Sequence, residues 1–203
     1  FSPEGREIEL QQMIDVVTTN ETDFFREPNH FEYLVERVLP EIISRIGVDR
    51  QFMFWCAGCS SGEEPYSLAM VLHNFSLQHP GFNFLILATD VSSRVLEKAK
   101  LGIYDEESAE PIPVEFRKRY LLKSKEKEKA MVRISPEIRA FVRFRSINLV
   151  HGEFGFREMM DIIFCRNVII YFNRDIQEQV IGRLYQHLSP GGYLFTGHSE
   201  TLN

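Results

Sequence analysis

Four apolar runs of strand length punctuate this chain: residues 51–56 (QFMFWC), 83–88 (NFLILA), 161–165 (DIIFC) and 192–196 (GYLFT). None shows the alternation of a strand with one wet face, so each must be buried on both faces, and that requires helices above and below a sheet. Helical patterns do lie between the runs. Phe31, Leu34, Val35, Val38, Leu39, Ile42, Ile43 and Ile46 recur at helical spacing, with a bend expected at Pro40. Further helices are expected from Pro65 to His79, over 94–100 with Gly102 as terminator, and over 174–188, closed by Ser189-Pro190-Gly191-Gly192. This alternation predicts an α/β fold with a doubly wound, mostly parallel sheet. One stretch departs from it. Residues 131–134 and 140–147 read as short strands joined by a Ser135-Pro136 turn with no helix between, which predicts a small antiparallel β insertion.

A length of 203 residues, 44% of them hydrophobic, suits one domain with an ample core. With no run of 18 apolar residues, no membrane span is expected, and Phe1 opens no charged-then-apolar leader of a secretion signal. The net charge of −6 excludes a general nucleic-acid binder, which needs a basic footprint. That average hides a split. Residues 112–147 hold eleven Lys/Arg against four Glu, or +7, leaving −13 for the remainder. Such asymmetry reads either as a solvated face or as a docking surface for something acidic. Cys56, Cys59 and Cys165 make an odd count, read as free thiols in a reducing cytoplasm. Cys56 and Cys59 form a C-x-x-C, but zinc would need a second ligand pair, and the six histidines offer no H-x3–5-H, so no metal site is expected.

Residues 55–67, WCAGCSSGEEPYS, place a glycine-rich loop between the first strand and a helix opening at Pro65. Such a loop lets a ligand approach the backbone and the helix N-terminus. It matches neither G-x-G-x-x-G nor a Walker sequence, which argues against a nicotinamide dehydrogenase and a nucleotide triphosphatase. Glu63 and Glu64 at the helix start would repel a pyrophosphate and attract a cation, although acidic residues favour helix N-termini in any case. Asp90 ends the second strand, where an acid either accepts hydrogen bonds from two ribose hydroxyls or caps the next helix. A nucleoside with a positively charged tail satisfies both features, and S-adenosylmethionine is such a molecule.

With these residues in place, the chain resembles the CheR-type chemoreceptor glutamate methyltransferases. The matching blocks are TTNETDFFRE (18–27), CAGCSSGEEPYS (56–67), ATD (88–90), LEKAKLGIY (96–104), SINL (146–149), FCRNVIIYF (164–172) and GGYLFTGHSE (191–200). The resemblance implies a class I, Rossmann-like S-adenosylmethionine-dependent methyltransferase over 18–203, with the β-subdomain inserted at about 105–147. It implies that residues 1–17 are the remnant of an N-terminal helical region or linker, and that the usual final hairpin of the sheet is absent. Asn20, Thr22 and Arg26 match the segment that closes over the cofactor, Glu64 the carboxylate that meets its amino group, and Asp90 the ribose ligand. Asn148 with Leu149, and Asn167 with Val168, match positions lining the adenine and methionyl ends. Arg26 and Tyr171 are the residues expected to orient the substrate carboxylate, Tyr171 having a core aromatic as its structural alternative. His198 falls in a matching block and is read as structural or as a support behind the site's own residues.

The implied reaction methylates glutamate side chains of cytoplasmic receptor helices, leaving S-adenosylhomocysteine; the alternative is a signalling module that binds either cofactor form without catalysis. A monomeric cytoplasmic enzyme is expected. The family's β-subdomain can dock an acidic C-terminal receptor peptide, and Arg133, with Lys123, matches its basic contacts. Residues 124–130 (SKEKEKA) lack the glycines that peptide-binding members carry there.

Overall fold

The computed structural model describes residues 21–124 and 130–200. Asn20 and the charged stretch 125–129 lie outside the described residues. A helical run comes first, α1 (Asn29–Tyr33), a π-turn (Leu34–Val38) and α2 (Leu39–Ile46). Where the sequence predicts a bend at Pro40, the turn before it is this π-turn. Proline has no N–H and its ring clashes with the carbonyl four residues back, and widening the preceding turn absorbs both while Pro40 sits in the first turn of α2.

The larger sheet holds β1 (Gln51–Ala57), β2 (Asn83–Asp90), β6 (Val142–Ser146), β7 (Met160–Cys165) and β8 (Leu188–Thr196). Their spatial order is β6-β2-β1-β7-β8 and every pairing is parallel. Counted along the chain the order is 3-2-1-4-5, the doubly wound arrangement whose strand order reverses beside β1. Strand periodicity divides β1 between two cores. Phe52, Phe54 and Cys56 pack with Phe31, Leu34 and α3 (Glu63–Gln78), while Trp55 and Ala57 face Val180 and Leu184 of α7 (Arg174–Tyr185). β1, β2 and β7 are buried on both faces as their unbroken apolar runs require, whereas the run 192–196 lies in the edge strand β8 and, Phe195 apart, is only half-buried.

Residues 140–147 were expected to form the second strand of the insertion, but β6 instead pairs in parallel with β2 at the edge of the larger sheet, Ile86 opposite Val142. The chain reaches β6 through α6 (Pro136–Arg139), whose cap is the Ser135 hydroxyl. The antiparallel sheet is made of β3 (Ile103–Asp105), β4 (Leu121–Lys123) and β5 (Met131–Ile134), in the order β3-β5-β4, with α5 (Val114–Tyr120) leading into β4. Three smaller differences concern helix and strand limits. The helix after the glycine loop starts at Glu63, so Pro65 is its third residue, still within the turn that leaves N–H groups unbonded. The helix expected over 174–188 ends at Tyr185, and Ser189–Gly192 lie inside β8, opposite a register shift in β7. Between β2 and α4 (Ser93–Leu101) the cap is Ser92, whose Oγ accepts from the Val95 N–H, and Gly102 ends the helix at φ +61° as expected. Among the described residues no helix is long and apolar enough to cross a membrane.

Candidate active site

The ends of the parallel strands open into one cavity of about 660 Å³, lined by residues following β1, β2, β6 and β7 and by the segment before α1. This is the crevice where strand order reverses, the place where doubly wound sheets bind ligands. After β1, the N–H groups of Gly58 and Cys59 both donate to the Thr89 carbonyl at 2.8 Å, so the loop turns sharply across the end of β2. Gly58 adopts φ +86°, and a Cβ there would lie 2.4 Å from Val168 Cγ2. Only glycine permits this approach of loop and turn.

Asp90 stands at the tip of β2, 9% exposed. Its Oδ2 accepts from the Ser60 N–H at 2.8 Å and its Oδ1 from the Ser92 N–H at 3.0 Å. Capping α4 is thus the work of Ser92, while Asp90 is clamped toward the cavity. These bonds fix the direction of the carboxylate at the cavity, where a ribose would meet it. Apolar residues Val91, Ile147, Leu149, Phe172 and Ile176 line the cavity, and offer a flat base an apolar bed. Asn148 folds its Oδ1 back onto the Val150 and His151 N–H groups, at 2.9 and 3.1 Å.

At the other end lies a charged group that sequence reasoning missed. Arg166, next after β7, has a side chain only 2% exposed, and its guanidinium lies 3.5 Å from Glu64 Oε2 and 3.3 Å from Glu27 Oε2. It also donates to the Arg26 carbonyl. Burial raises the Glu64 carboxyl above its ordinary value, against the pull of Arg166. Glu27 is held below its ordinary value: burial pushes it up, but the His198 N–H and Arg166 outweigh that push. One buried cation thus serves two carboxylates, leaving negative charge at the cavity wall for an ammonium or sulfonium. The Arg166 Nε is buried without a hydrogen-bond partner. Its traces in the sequence are a charge directly after the buried run 161–165 and a place in the matching block 164–172.

The structure brings Thr22, Arg26, Glu64, Asp90, Asn148, Leu149, Asn167, Val168 and Tyr171 into the lining of the same cavity. Asn20 alone of the expected set lies outside the described residues. Tyr171 is 61% exposed and no core aromatic, and Arg26 is exposed too, with Nη1 donating to the Glu21 carbonyl at 3.1 Å. Asn167 adopts φ +57° in the turn leaving β7. Cys56 and Cys59 are buried beneath the loop, and burial, with Glu64 near the first and Asp90 near the second, pushes both thiols well up, unlike a redox pair or a thiolate ligand. Ligand atoms of Glu27, His30 and His198 lie within 4.8 Å of one another, but the Arg166 guanidinium already brings positive charge there. Burial and then Arg166 lower the His30 basicity. His198 is exposed, donates its N–H to Glu27 Oε1 and lies beside Asn29, so the cluster ties the segment before α1 to the loop after β8. Lys123 is paired with Glu106, and Arg133 is exposed on β5.

The donor set therefore fits S-adenosylmethionine in charge, polarity and size. Known proteins agree with that geometry. Residues 20–203 match the family described as "CheR methyltransferase, SAM binding domain". The "Chemotaxis protein methyltransferase" of Borreliella burgdorferi is 38% identical over 199 residues, 96% of this chain and 69% of that protein. "Chemotaxis protein methyltransferase 1" of Pseudomonas aeruginosa is 40% identical over 197 residues, 95% of this chain and 70% of that protein. The solved structure titled "Crystal structure of DszA carbon methyltransferase" is 16% identical, with a TM-score of 0.50 over 83% of this chain and 35% of that one, a likeness of fold alone. The chain belongs to the CheR family of S-adenosylmethionine-dependent chemotaxis methyltransferases.

Proposed function

We propose that this enzyme methylates glutamate side chains of chemoreceptors, and that Arg26 and Tyr171 present the acceptor carboxylate. The observation that carries this reading is the pairing of a buried anionic wall, Glu64 with Arg166 and Glu27, with a mouth where Arg26 and Tyr171 are exposed beside the same cavity. Glu64 would meet the cofactor's ammonium and Asp90 its ribose hydroxyls, with Leu149 and Val168 flanking its apolar parts. Thr22 and Asn20 would close the segment before α1 over it, and Asn148 and Asn167 would hold their turns against it.

Bound S-adenosylmethionine supplies a methyl group activated by the sulfonium. With Glu64 and Asp90 holding the cofactor, a carboxylate oxygen presented by Arg26 and Tyr171 would receive that methyl group, the C–S electron pair leaving on sulfur, and no residue would need to move a proton. A glutamate of pKa about 4.3 is more than ~99% ionised at pH 7, so no general base is required. The chain's residues then have two tasks, in-line placement of the carboxylate and partial exclusion of water from it. A guanidinium suits the first through directed hydrogen bonds, and contact at one oxygen leaves the other nucleophilic. Labelled-methyl transfer to receptor membranes tests the reading: base-labile label on receptor glutamates is expected, and cofactor binding without transfer would overturn it.

If an acidic C-terminal receptor peptide docks on the three-stranded sheet, exposed Arg133 would be its contact, but the segment 124–130 lacks the glycines of peptide-binding members, which speaks against docking. A peptide pull-down with Arg133→Glu as control decides this, since equal capture by both proteins would remove Arg133 from the contact.

A further inference from the structure

Glu200 does not line the cavity, yet its carboxylate is the most heavily hydrogen-bonded side chain near it. Oε1 accepts from the N–H groups of Val168 at 2.8 Å, Ile169 at 2.8 Å and Ile170 at 3.3 Å. Oε2 accepts from Asn167 at 2.9 Å and Gly197 at 2.7 Å. Four of these donors are consecutive, residues 167–170, and converge on one anion in a residue 7% exposed. Successive backbone N–H groups in such a turn form an anion-binding concavity, here filled by the protein's own carboxylate.

We propose that Glu200 is a positioning residue for cofactor and acceptor: it sets the conformation of the turn that carries Asn167, Val168 and Tyr171 to the cavity. Three observations carry this. Asn167 holds φ +57°, a left-handed conformation uncommon outside glycine, with its N–H tied to Oε2. Val168 presses on the glycine loop so closely that Gly58 has no room for a Cβ, so movement of the turn is transmitted to the loop that approaches Asp90. On the far side, a Cβ on Gly197 would lie 2.8 Å from Asn167 Nδ2 and 3.0 Å from its backbone N, so a side chain at the strand end that delivers Glu200 would crowd the turn. The turn is thus wedged between the cofactor loop and the end of β8, with the carboxylate fixing its depth. Without that acceptor, four N–H groups in a row would lose their partner and the turn would relax toward ordinary backbone geometry. Both the cofactor-facing Val168 and the acceptor-facing Tyr171 would then shift, although Glu200 touches neither ligand. This inference rests on the reading of the cavity as the cofactor pocket.

The test is Glu200→Gln, which keeps the shape but replaces one acceptor oxygen by an NH2 that faces N–H donors. Its control is Asp161→Asn, another buried carboxylate, which pairs with Arg50 and accepts from the Met53 N–H at 2.9 Å at the opposite end of the sheet. Both variants should lower Tm. Only Glu200→Gln should raise the S-adenosylhomocysteine Kd and the S-adenosylmethionine KM, by about ten-fold or more, the size expected for one lost charge-assisted hydrogen bond, with a fall in kcat. The control should stay within about two-fold in all three. If the Gln variant does not fold, Gly197→Ala crowds the same turn from the same side and should raise the same KM. A Glu200→Gln protein with Kd, KM and kcat all within about two-fold of wild type would overturn the proposal. Wild-type protein that binds no S-adenosylhomocysteine would instead overturn the cofactor reading, and this inference with it.

Discussion

Gly58→Ala probes the contact on which the cofactor loop depends. The added methyl carbon would stand 2.4 Å from Val168 Cγ2 and 3.3 Å from Cγ1, where ordinary contact begins near 3.4 Å, so Val168 must retreat by about 1 Å or the loop must open. Two costs combine. A residue with a Cβ at φ +86° pays about 1–2 kcal/mol for the left-handed backbone, and overpacking of a close-packed contact adds about 1–3 kcal/mol. Together they amount to about 2–5 kcal/mol, and at about 2–4 °C per kcal/mol for a chain of this size Tm should fall by about 4–20 °C. Val168→Ala removes both colliding methyl groups without touching the backbone angle. The double variant should therefore recover the packing share and keep the conformational share, giving a coupling of about 1–3 kcal/mol between the two substitutions. Denaturant unfolding of the four proteins supplies the cycle, and calorimetry with S-adenosylhomocysteine supplies its functional counterpart, in which Gly58→Ala alone should bind most weakly. Strict additivity, or unchanged affinity in the Gly58→Ala protein, would refute the reasoning.

Arg166→Met should destabilise by about 3–5 kcal/mol at pH 7, because two carboxylates lose a buried counter-charge. In the wild type Glu27 sits below its ordinary pKa, so its stabilisation is present above the unfolded value and lost as pH falls through the folded one. Without Arg166 burial at Glu64 is opposed less, so its carboxyl rises further and the variant should regain stability as pH falls from 7 toward about 5; pH-resolved thermal unfolding with parallel curves for both proteins would contradict this. Glu64 already lies above the ordinary carboxylate value through burial, so affinity for S-adenosylmethionine should weaken as pH falls through that raised pKa. Calorimetry across pH should find this component missing in Glu64→Gln, whose affinity should be low throughout. Arg26→Ala should depress methylation turnover more than cofactor binding, and an unchanged methylation rate would remove Arg26 from the acceptor site.

Where the determining physics is local, the chain could be read directly. Apolar runs buried on both faces must sit in a covered sheet, which gives β1, and a glycine loop between strand and helix lets a ligand approach, whereas the acid ending β2 could face the crevice or cap the next helix, and the structure gives the cap to Ser92. The matching blocks supplied further residues, from Thr22 to Val168, that line the same cavity. What remained depended on partners far along the chain. Residues 140–147 have the same local character as a hairpin strand or as a parallel edge, and only the crossover through α6 and pairing with β2 decided between them. The aromatic side chain of Tyr171 suits a core or a pocket mouth equally, and its 61% exposure is a property of the assembled surface. Arg166 gains its meaning from Glu27, Glu64 and a carbonyl 140 residues away, and Glu200 from a turn more than thirty residues before it. Periodicity reports which faces are buried, but it carries no information about which charges meet once they are, because that pairing exists only when loops from separate strands converge at one end of the sheet.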